Sequence, residues 1–188
     1  MPEMPAQSIQ IWTVGHSTRS IEAFIELLEQ HGIEGVVDVR RFPGSRRHPQ
    51  YARESLEATL PEHQISYRWM PDLGGRRRSL PDSPNTAWRN TSFRGYADYM
   101  ATDEFANAFN ELVKLARLQR TVVMCAELLW WRCHRALISD ALRVQAIDVI
   151  HIVDPTHTVS HPFTSAARVI DGRLSYAATD ERQQIQLL

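Results

Sequence analysis

The 188-residue chain has few cysteines, a single lysine, no long apolar run and almost no net charge. Two cysteines are too few for a disulfide scaffold, and no secretory leader precedes residue 9, so we expect free thiols in the cytoplasm. No apolar run approaches membrane-spanning length, so we expect no membrane partner. The chain also lacks a P-loop and a dinucleotide fingerprint, which excludes the nucleotide sites that those motifs identify.

Basic residues are almost all arginine, since Lys114 is the one lysine among 21 basic residues. A GC-rich genome produces this bias without selection for chemistry, so the total says little about function. Arginine makes planar, bidentate contacts with phosphate and carboxylate groups. Only the placement of individual arginines can therefore indicate a binding site.

Short apolar runs alternate with helical periodicity along most of the chain. After the first run, Ser20 can cap a helix whose buried stripe contains Phe24, Ile25 and Leu28. This alternation predicts an α/β fold with three layers, in which a mainly parallel sheet is flanked by helices. Strands are predicted at residues 9–14, 35–39, 65–69, 121–124 and 148–153.

The ends of the chain and one internal segment depart from this pattern. Residues 1–8 are expected to form a disordered N-terminal tail, and residues 9–188 a single domain. Residues 71–92 show little periodicity, which is typical of a binding loop, a lid or a disordered segment. Asp171-Gly172 predicts a C-terminal antiparallel hairpin, which we expect to add an antiparallel edge to the sheet.

Polar and ionisable residues gather where four of the predicted strands end. In parallel sheets, ligands bind beyond the carboxyl ends of the strands, so these four loops are expected to meet in one electropositive cleft that attracts an anion. The clusters are residues 16–19 after the first strand, Asp38, Arg40, Arg41 and residues 46–48 after the second, Asp72 and residues 76–78 after the third, and Cys125, Glu127 and residues 133–135 after the fourth.

Some of these polar residues have a structural interpretation as well as a functional one. Asp38 and Arg40 lie two positions apart on a strand, so their side chains share a face. They form either a structural ion pair or a site in which Asp38 acts on a bound group. Three consecutive arginines at residues 76–78 are more typical of a solvated loop than of a ligand clamp. The tail histidines His151, His157 and His161 are expected to take no part in catalysis.

The two cysteines and His134 permit several interpretations. Cys133 stands at a helix start, where the helix dipole and a neighbouring cation can lower the pKa of a thiol and produce a nucleophile. Cys125 ends a buried strand, where an inert apolar residue is the ordinary interpretation. With Glu127 these side chains could also bind a metal, but their spacing matches no standard zinc motif, and adjacent Cys133 and His134 make awkward ligands. We therefore assign no metal ligand and no cofactor.

Several short motifs occur in order along residues 13–142. They are TVGHS at 13–17, VDVRRFPGS at 37–45, LGG at 73–75, FRGYADYM at 93–100, and the triplets CAE and CHR at 125–127 and 133–135. With these motifs the chain resembles a prokaryotic family called domain of unknown function four-eight-eight. The resemblance implies a compact α/β domain but no particular reaction. It also implies that one site contains Gly15, His16, Ser17, Asp38, Arg40, Pro43, Ser45, Cys125, Glu127, Cys133, His134 and Arg135.

Together these patterns favour an enzyme that acts on a phosphate-bearing substrate, either a nucleotide or a nucleic acid. The candidate catalytic residues are Asp38 or Glu127 as general acid or base, His16 or His134 for proton transfer, and Cys125 or Cys133 as nucleophile. The anion would be held by Arg19, Arg40 and Arg135, with Gly15, Ser17 and Ser45 completing the binding site. One alternative is a non-catalytic nucleic-acid-binding module, against which the net charge of −1 argues. Another is a thiol- or metal-dependent redox protein. Protein partners are not identifiable from the sequence.

Overall fold

A six-stranded sheet organises the protein in the computed structural model, which describes residues 9–44 and 46–179. The strands are β1 (Gln10–Gly15), β2 (Gly35–Asp38), β3 (Ser66–Trp69), β4 (Thr121–Cys125), β5 (Asp148–Ile152), β6 (Thr158–Ser160), β7 (Arg168–Ile170) and β8 (Arg173–Ser175). The α-helices are α1 (Ile21–Gln30), α2 (Arg53–Glu62), α3 (Thr91–Tyr99), α4 (Asp103–Leu118) and α5 (Arg135–Val144). Within the described ranges, no helix has the length and apolar character needed to cross a membrane.

The sheet has the strand order β3-β2-β4-β1-β5-β6, and its first five strands run parallel. The edge strand β6 runs antiparallel to β5, with Ile152 opposite Thr158. The C-terminal hairpin, β7 and β8, is confirmed, and Asp171 and Gly172 both have the positive φ that its tight turn requires. The prediction that this hairpin supplies the antiparallel edge is wrong. Residues 153–157 turn the chain back on itself, so β6 occupies that edge and the hairpin forms a separate small sheet.

Helices cover both faces of the sheet, which confirms the three-layer α/β fold. Adjacent residues of a strand point to opposite faces, so Val36 and Val37 of β2 belong to different cores. One core contains Val36 with the apolar stripe of α1 and with Leu56 and Leu60 of α2. The other contains Val37 with the buried residues of α3, α4 and α5. The predicted start of α1 is confirmed, since the Ser20 hydroxyl accepts a hydrogen bond from a backbone N–H in the first turn.

The strand order creates a crevice between β1 and β4. The helix after β1 packs on one face of the sheet, and the helix after β4 packs on the other. Neighbouring strands whose connections diverge in this way leave an opening at their carboxyl ends, where ligands bind in open α/β sheets. Gly15 at the end of β1 lies opposite Cys125 at the end of β4, and Asp38 of β2 lies opposite Met124. The fold therefore brings three of the polar loops to one edge.

Candidate functional site

A cleft opens at this edge of the sheet and has an inner and an outer part. The inner part, of about 190 Å³, reaches Cys125 and His134, and the outer part, of about 540 Å³, reaches His16 and Glu127. Both parts are lined by Arg40, Phe42, Arg76 and Ala126, so they belong to one cleft. The remaining lining residues are Arg41 and Gly75 in the inner part, and Ser17, Thr18, Gly44, Arg47, His48 and Leu128 in the outer part.

The predicted site residues divide into those that line the cleft and those that lie outside its lining. His16, Ser17, Arg40, Cys125, Glu127 and His134 line it. Gly15, Arg19, Asp38, Cys133 and Arg135 are outside the lining, and Ser45 lies outside the described residues. Arg41, Phe42, Arg47 and Arg76 also line the cleft although sequence reasoning did not assign them to the site. The three arginines lay in the polar clusters, but nothing local distinguishes Arg76 from the two arginines that follow it.

Gly15 lets the loop after β4 pass directly over the end of β1. A Cβ atom at this position would lie 2.0 Å from the backbone oxygen of Glu127, so any other residue would displace the loop. The next two residues keep the loop in place, because the backbone N–H groups of His16 and Ser17 donate to the carbonyls of Cys125 and Ala126. The turn after β1 and the loop after β4 are therefore one connected unit.

Asp38 and Arg40 form a buried ion pair. The Asp38 carboxylate is fully buried and accepts from Arg40 Nε at 2.8 Å and from Arg40 Nη2 at 2.6 Å. The Tyr67 hydroxyl donates to the same carboxylate at 2.6 Å. Arg40 Nη2 also donates to the carbonyl of Tyr51 at 2.8 Å. Asp38 thus holds the guanidinium in one orientation at the floor of the cleft.

His16 supports Arg40 from the other side. Its Nδ1 contacts the carbonyl of Ser17 at 2.9 Å, and its Nε2 lies 3.2 Å from Arg40 Nη1. Nδ1 is therefore the protonated nitrogen, and Nε2 accepts from the guanidinium. Burial, together with the charge of Arg40, lowers the pKa of His16 to about 4, and the ring stacks on Tyr51 at 3.9 Å. Four of the five Arg40 N–H groups are now engaged, and the fifth, on Nη1, has no partner among the described residues.

Cys125, Cys133 and His134 converge at the inner end of the cleft, where their sulfur and ring nitrogen atoms lie within 4.8 Å of one another. The His134 Nε2 is 3.0 Å from the carbonyl of Val39, and a carbonyl can only accept, so Nε2 carries the proton. In the neutral ring this leaves Nδ1 as the unprotonated nitrogen, and it lies 3.5 Å from the sulfur of Cys133. Gly75 packs against this ring, since a Cβ there would lie 2.9 Å from Nδ1.

The two thiols share one site and ionise unequally. A hydrogen bond to Cys133, together with burial, raises the pKa of the Cys125 thiol well above its usual range. Burial also opposes ionisation of Cys133, but the hydrogen bond from Cys125 and the neighbouring His134 and Arg135 outweigh it and hold the pKa of the Cys133 thiol well below its usual range. Cys125 lines the cleft, whereas Cys133 is 5% exposed behind it. These interactions therefore favour ionisation of the Cys133 thiol over that of Cys125.

Arg135 is a second buried arginine, 1% exposed, and it lies under the loop after β4. Its Nη2 donates to the carbonyls of Glu127 and Leu128, and its Nη1 lies 3.4 Å from the hydroxyl of Thr13. Its Nε has no hydrogen-bond partner in the part of the chain that the structure describes. Arg135 therefore holds the backbone of this loop and leaves the cleft surface to other residues.

A buried chain of hydrogen bonds runs from Arg135 to Asp140. The Thr13 hydroxyl is 2.6 Å from His151 Nδ1, and His151 Nε2 is 2.9 Å from His161 Nδ1. His161 Nε2 then contacts the Asp140 carboxylate at 3.0 Å. Burial, followed by the charges of His161 and Arg135, lowers the pKa of His151 to about 2. Sequence reasoning missed this chain, although the position of His151 inside an apolar strand was a local sign of a buried polar group.

Arg19 and the run of arginines at 76–78 make contacts that the sequence did not predict. Arg19 donates to the carbonyls of Gly15 and Val153, at 2.6 and 2.9 Å, and so ties the turn after β1 to the end of β5. In the run at 76–78, Arg76 lines the cleft, while the guanidinium of Arg77 lies 3.6 Å from the ring centre of Tyr99. The adjacent residues Arg76 and Arg77 therefore have separate surroundings.

Comparison with known proteins agrees with the resemblance inferred from the motifs. A family model described as a domain of unknown function, DUF488, matches residues 20–142. No curated protein and no solved structure matches the chain. The matched segment covers more than half of the sequence and includes the buried ion pair, both cysteines and His134. The chain belongs to the DUF488 family.

Proposed function

We propose that the protein is an enzyme that acts on a phosphate-bearing substrate, a nucleotide or a nucleic acid, in this cleft. The observation that supports it is the composition of the lining. Four arginines, at positions 40, 41, 47 and 76, surround the cleft, and Glu127 is the one carboxylate among the lining residues that the structure describes. Guanidiniums in excess over carboxylates favour an anion, and they bind phosphate through planar pairs of donors.

Two of the arginines at the inner end, Arg40 and Arg41, are held by hydrogen bonds before any ligand binds. Arg40 is fixed by Asp38 and His16, and one of its N–H groups has no hydrogen-bond partner among the described residues. Arg41 Nη1 donates to the carbonyl of Arg76 at 3.0 Å, which links the loops after β2 and β3. Arg76 itself has a φ of 60°, a conformation that is uncommon outside glycine and often found at functional sites. A preorganised set of cations loses little conformational entropy when an anion binds.

Phe42 favours a nucleotide over a simple phosphate. Its ring is 64% exposed and lines both parts of the cleft, beside the arginines. An exposed aromatic ring next to a phosphate site can stack on a base, which contributes about 1–3 kcal/mol per base in single-stranded complexes. The Arg41 guanidinium lies 5.6 Å from the centre of this ring, and the position of the ring at the cleft mouth fits a ligand with a planar ring.

The remaining predicted residues take narrower roles in this proposal. Glu127 is the general acid or base, since its side chain is exposed in the cleft, whereas Asp38 is fully buried in its ion pair. Cys125 and His134 form the reactive inner end. His16 and Asp38 position Arg40. Arg19 and Arg135 position the loops after β1 and β4, because their donors are engaged by backbone carbonyls.

The proposal is tested by measuring the binding of nucleotides, short single-stranded DNA and RNA, and inorganic phosphate, followed by a search for turnover of the compounds that bind. Arg76→Ala should weaken binding by about 10- to 150-fold, since a hydrogen bond to a charged group contributes about 1.5–3 kcal/mol. Arg78→Ala is the matched control, because Arg78 is exposed outside the cleft lining, and it should leave binding unchanged.

Glu127→Gln should then reduce turnover while leaving ligand affinity within about threefold, because the amide keeps the shape but cannot transfer a proton. Binding without any turnover, with an affinity that falls steeply as salt increases, would instead identify a non-catalytic nucleic-acid-binding module. No binding of any phosphate compound would refute both.

A further inference from the structure

We propose that Cys125, Cys133 and His134 bind a zinc ion whose fourth coordination position faces the cleft. Two thiolates and an imidazole are ligands that zinc prefers, and sites with three protein ligands keep a position open for water or substrate. These three side chains form the one group of three or more histidine, cysteine and acidic ligand atoms close enough for a metal among residues 9–44 and 46–179.

The spacing of the ligand atoms fits tetrahedral zinc. Bonds of about 2.3 Å to sulfur and about 2.0 Å to nitrogen, at a tetrahedral angle, place those two ligand atoms about 3.5 Å apart. The Cys133 sulfur and His134 Nδ1 are 3.5 Å apart. The Cys125 sulfur lies within 4.8 Å of both, so a small rotation of its side chain brings all three atoms to bonding distance of one ion.

The adjacency of Cys133 and His134 is accommodated by the start of α5. Cys133 has an extended backbone, with φ −129° and ψ 151°, and His134 already has helical angles, with φ −57° and ψ −14°. Side chains of neighbouring residues diverge within a regular strand or helix. At this change of conformation they converge instead, which removes the geometric objection that the sequence spacing raised.

The surroundings prepare His134 as a ligand. Metal-binding histidines usually donate their second ring N–H to a carbonyl or carboxylate, which fixes the tautomer and the orientation of the ring. Here the Nε2–H group of His134 donates a hydrogen bond to the Val39 carbonyl, which leaves Nδ1 available to bind a metal. Glycine at position 75 keeps space beside that nitrogen, which a Cβ 2.9 Å away would restrict.

The open position places the ion where the proposed substrate binds. Cys125 and His134 line the inner cleft together with Arg40, Arg41 and Arg76, while Cys133 is the ligand behind them. Zinc with two thiolates has no net charge, so the arginines keep the cleft positive. The binding of zinc stands on these three ligands alone, and its role in catalysis rests on the proposed function. The ion would complete the reactive end of the cleft by holding a water or a substrate oxygen.

The experiment measures metal in the full-length chain, purified without chelator, incubated with zinc and then dialysed. We expect one zinc per chain. Cobalt in place of zinc should give the intense visible absorption of a tetrahedral site and a near-ultraviolet thiolate-to-cobalt charge-transfer band. Bound zinc should also protect both cysteines from alkylation, which needs no variant and so does not depend on the folding of a mutant.

Three variants identify the ligands. Cys125→Ser, Cys133→Ser and His134→Gln should each weaken zinc binding by at least about 100-fold, since removing a ligand should exceed the 10–100-fold effect of losing a second-shell partner. His157→Gln is the matched control, because this histidine is exposed in the turn before β6, and it should retain one zinc per chain. Circular dichroism verifies that each variant is folded.

The zinc site is refuted if wild-type protein retains no zinc, or if the three variants bind it as tightly as the control. It is equally refuted if the two cysteines are isolated as a disulfide whose reduction does not restore zinc binding. Zinc content and phosphate binding are separate measurements. Zinc binding without any phosphate ligand would refute the proposed function and leave the metal site standing. Phosphate turnover by zinc-free protein would refute the role of zinc in catalysis and leave the proposed function standing.

Discussion

Two arginines are buried beside the cleft, and the protein accommodates their charges in different ways. Arg40 has a carboxylate partner two residues away in sequence, which it contacts through two nitrogens. Arg135 has no carboxylate partner among the described salt bridges; it contacts backbone carbonyls, and Asp140 lies at the far end of a chain through Thr13, His151 and His161. A buried arginine can thus be stabilised by a neighbouring carboxylate or by the dipoles of backbone carbonyls.

The difference has a structural consequence for each region. The bidentate contact fixes the orientation of the Arg40 guanidinium, which lines the cleft. The contacts of Arg135 point to the carbonyls of Glu127 and Leu128, so that arginine holds a loop. Two residues of the same type at the same sheet edge therefore differ in their surroundings, since one lines the cleft and the other contacts the main chain. Four sets of substitutions test this contrast.

The largest effect is expected from Asp38→Ala, which leaves Arg40 buried without a counter-charge. Breaking a buried ion pair by removing one partner costs about 3–5 kcal/mol. The measurement is the free energy of unfolding in urea. The double variant Asp38→Leu with Arg40→Met is the control, and it should be more stable than Asp38→Ala, because no unpaired charge remains. A double variant less stable than the single one would contradict this account of the pair.

Arg135→Met should destabilise the protein less, by about 1–3 kcal/mol. The carbonyls that lose Arg135 as a donor are neutral, and leaving a buried polar group without its hydrogen bond costs about 1–3 kcal/mol. Urea unfolding compares it with Asp38→Ala under one set of conditions. If the two losses are equal, the buried charge of Arg135 is balanced as directly as that of Arg40, and the contrast between the regions disappears.

A matched pair of tyrosine variants compares the two carboxylates themselves. The Tyr67 hydroxyl donates to Asp38 at 2.6 Å, and the Tyr176 hydroxyl donates to Asp140 at 2.8 Å. Replacing either tyrosine with phenylalanine removes one hydrogen bond to a buried carboxylate and should cost about 1.5 kcal/mol. Thermal unfolding measures both. Only Tyr67→Phe should also weaken phosphate binding, since Asp38 positions Arg40 and Asp140 does not contact the cleft lining.

The smallest effect is a change in pH dependence. Burial, with the charges of His161 and Arg135, holds the pKa of His151 at about 2, against 6.5 for an ordinary histidine. The unfolded chain therefore binds the extra proton first, so the contribution of neutral His151 is fully present well above pH 6.5 and is lost progressively as the pH falls through that value. Between about pH 8 and about pH 6 the loss is about 0.8 kcal/mol.

His151→Gln removes this titration, so its stability should fall less over the same pH interval than that of the wild type. Because His16 has a pKa lowered in the same direction, to about 4, His16→Gln should flatten the curve by a similar amount. Urea unfolding at several pH values measures both. An unchanged slope for His151→Gln would mean that His151 is protonated in the folded protein and that the buried chain is charged.

The sequence by itself determined the layers of the fold and the edge at which the polar residues gather. Apolar periodicity and the helix cap at Ser20 are local signals, so they predicted the parallel strands and the flanking helices. The polar clusters at the strand ends were also local, and parallel strands must bring their carboxyl ends to one edge. The spacing of Asp38 and Arg40 placed both side chains on one face, which was sufficient to foresee the ion pair as one alternative.

Only the tertiary structure decided which polar groups face the cleft and which lie outside its lining. That choice depends on strand order and register, which join residues as distant in sequence as Thr13 and His151. It also depends on backbone turns at single positions, such as the start of α5, where Cys133 and His134 converge, and Arg76, where φ is positive. Beyond the end of a strand, the direction of a side chain depends on how the loops pack, so residue type and spacing do not predict it.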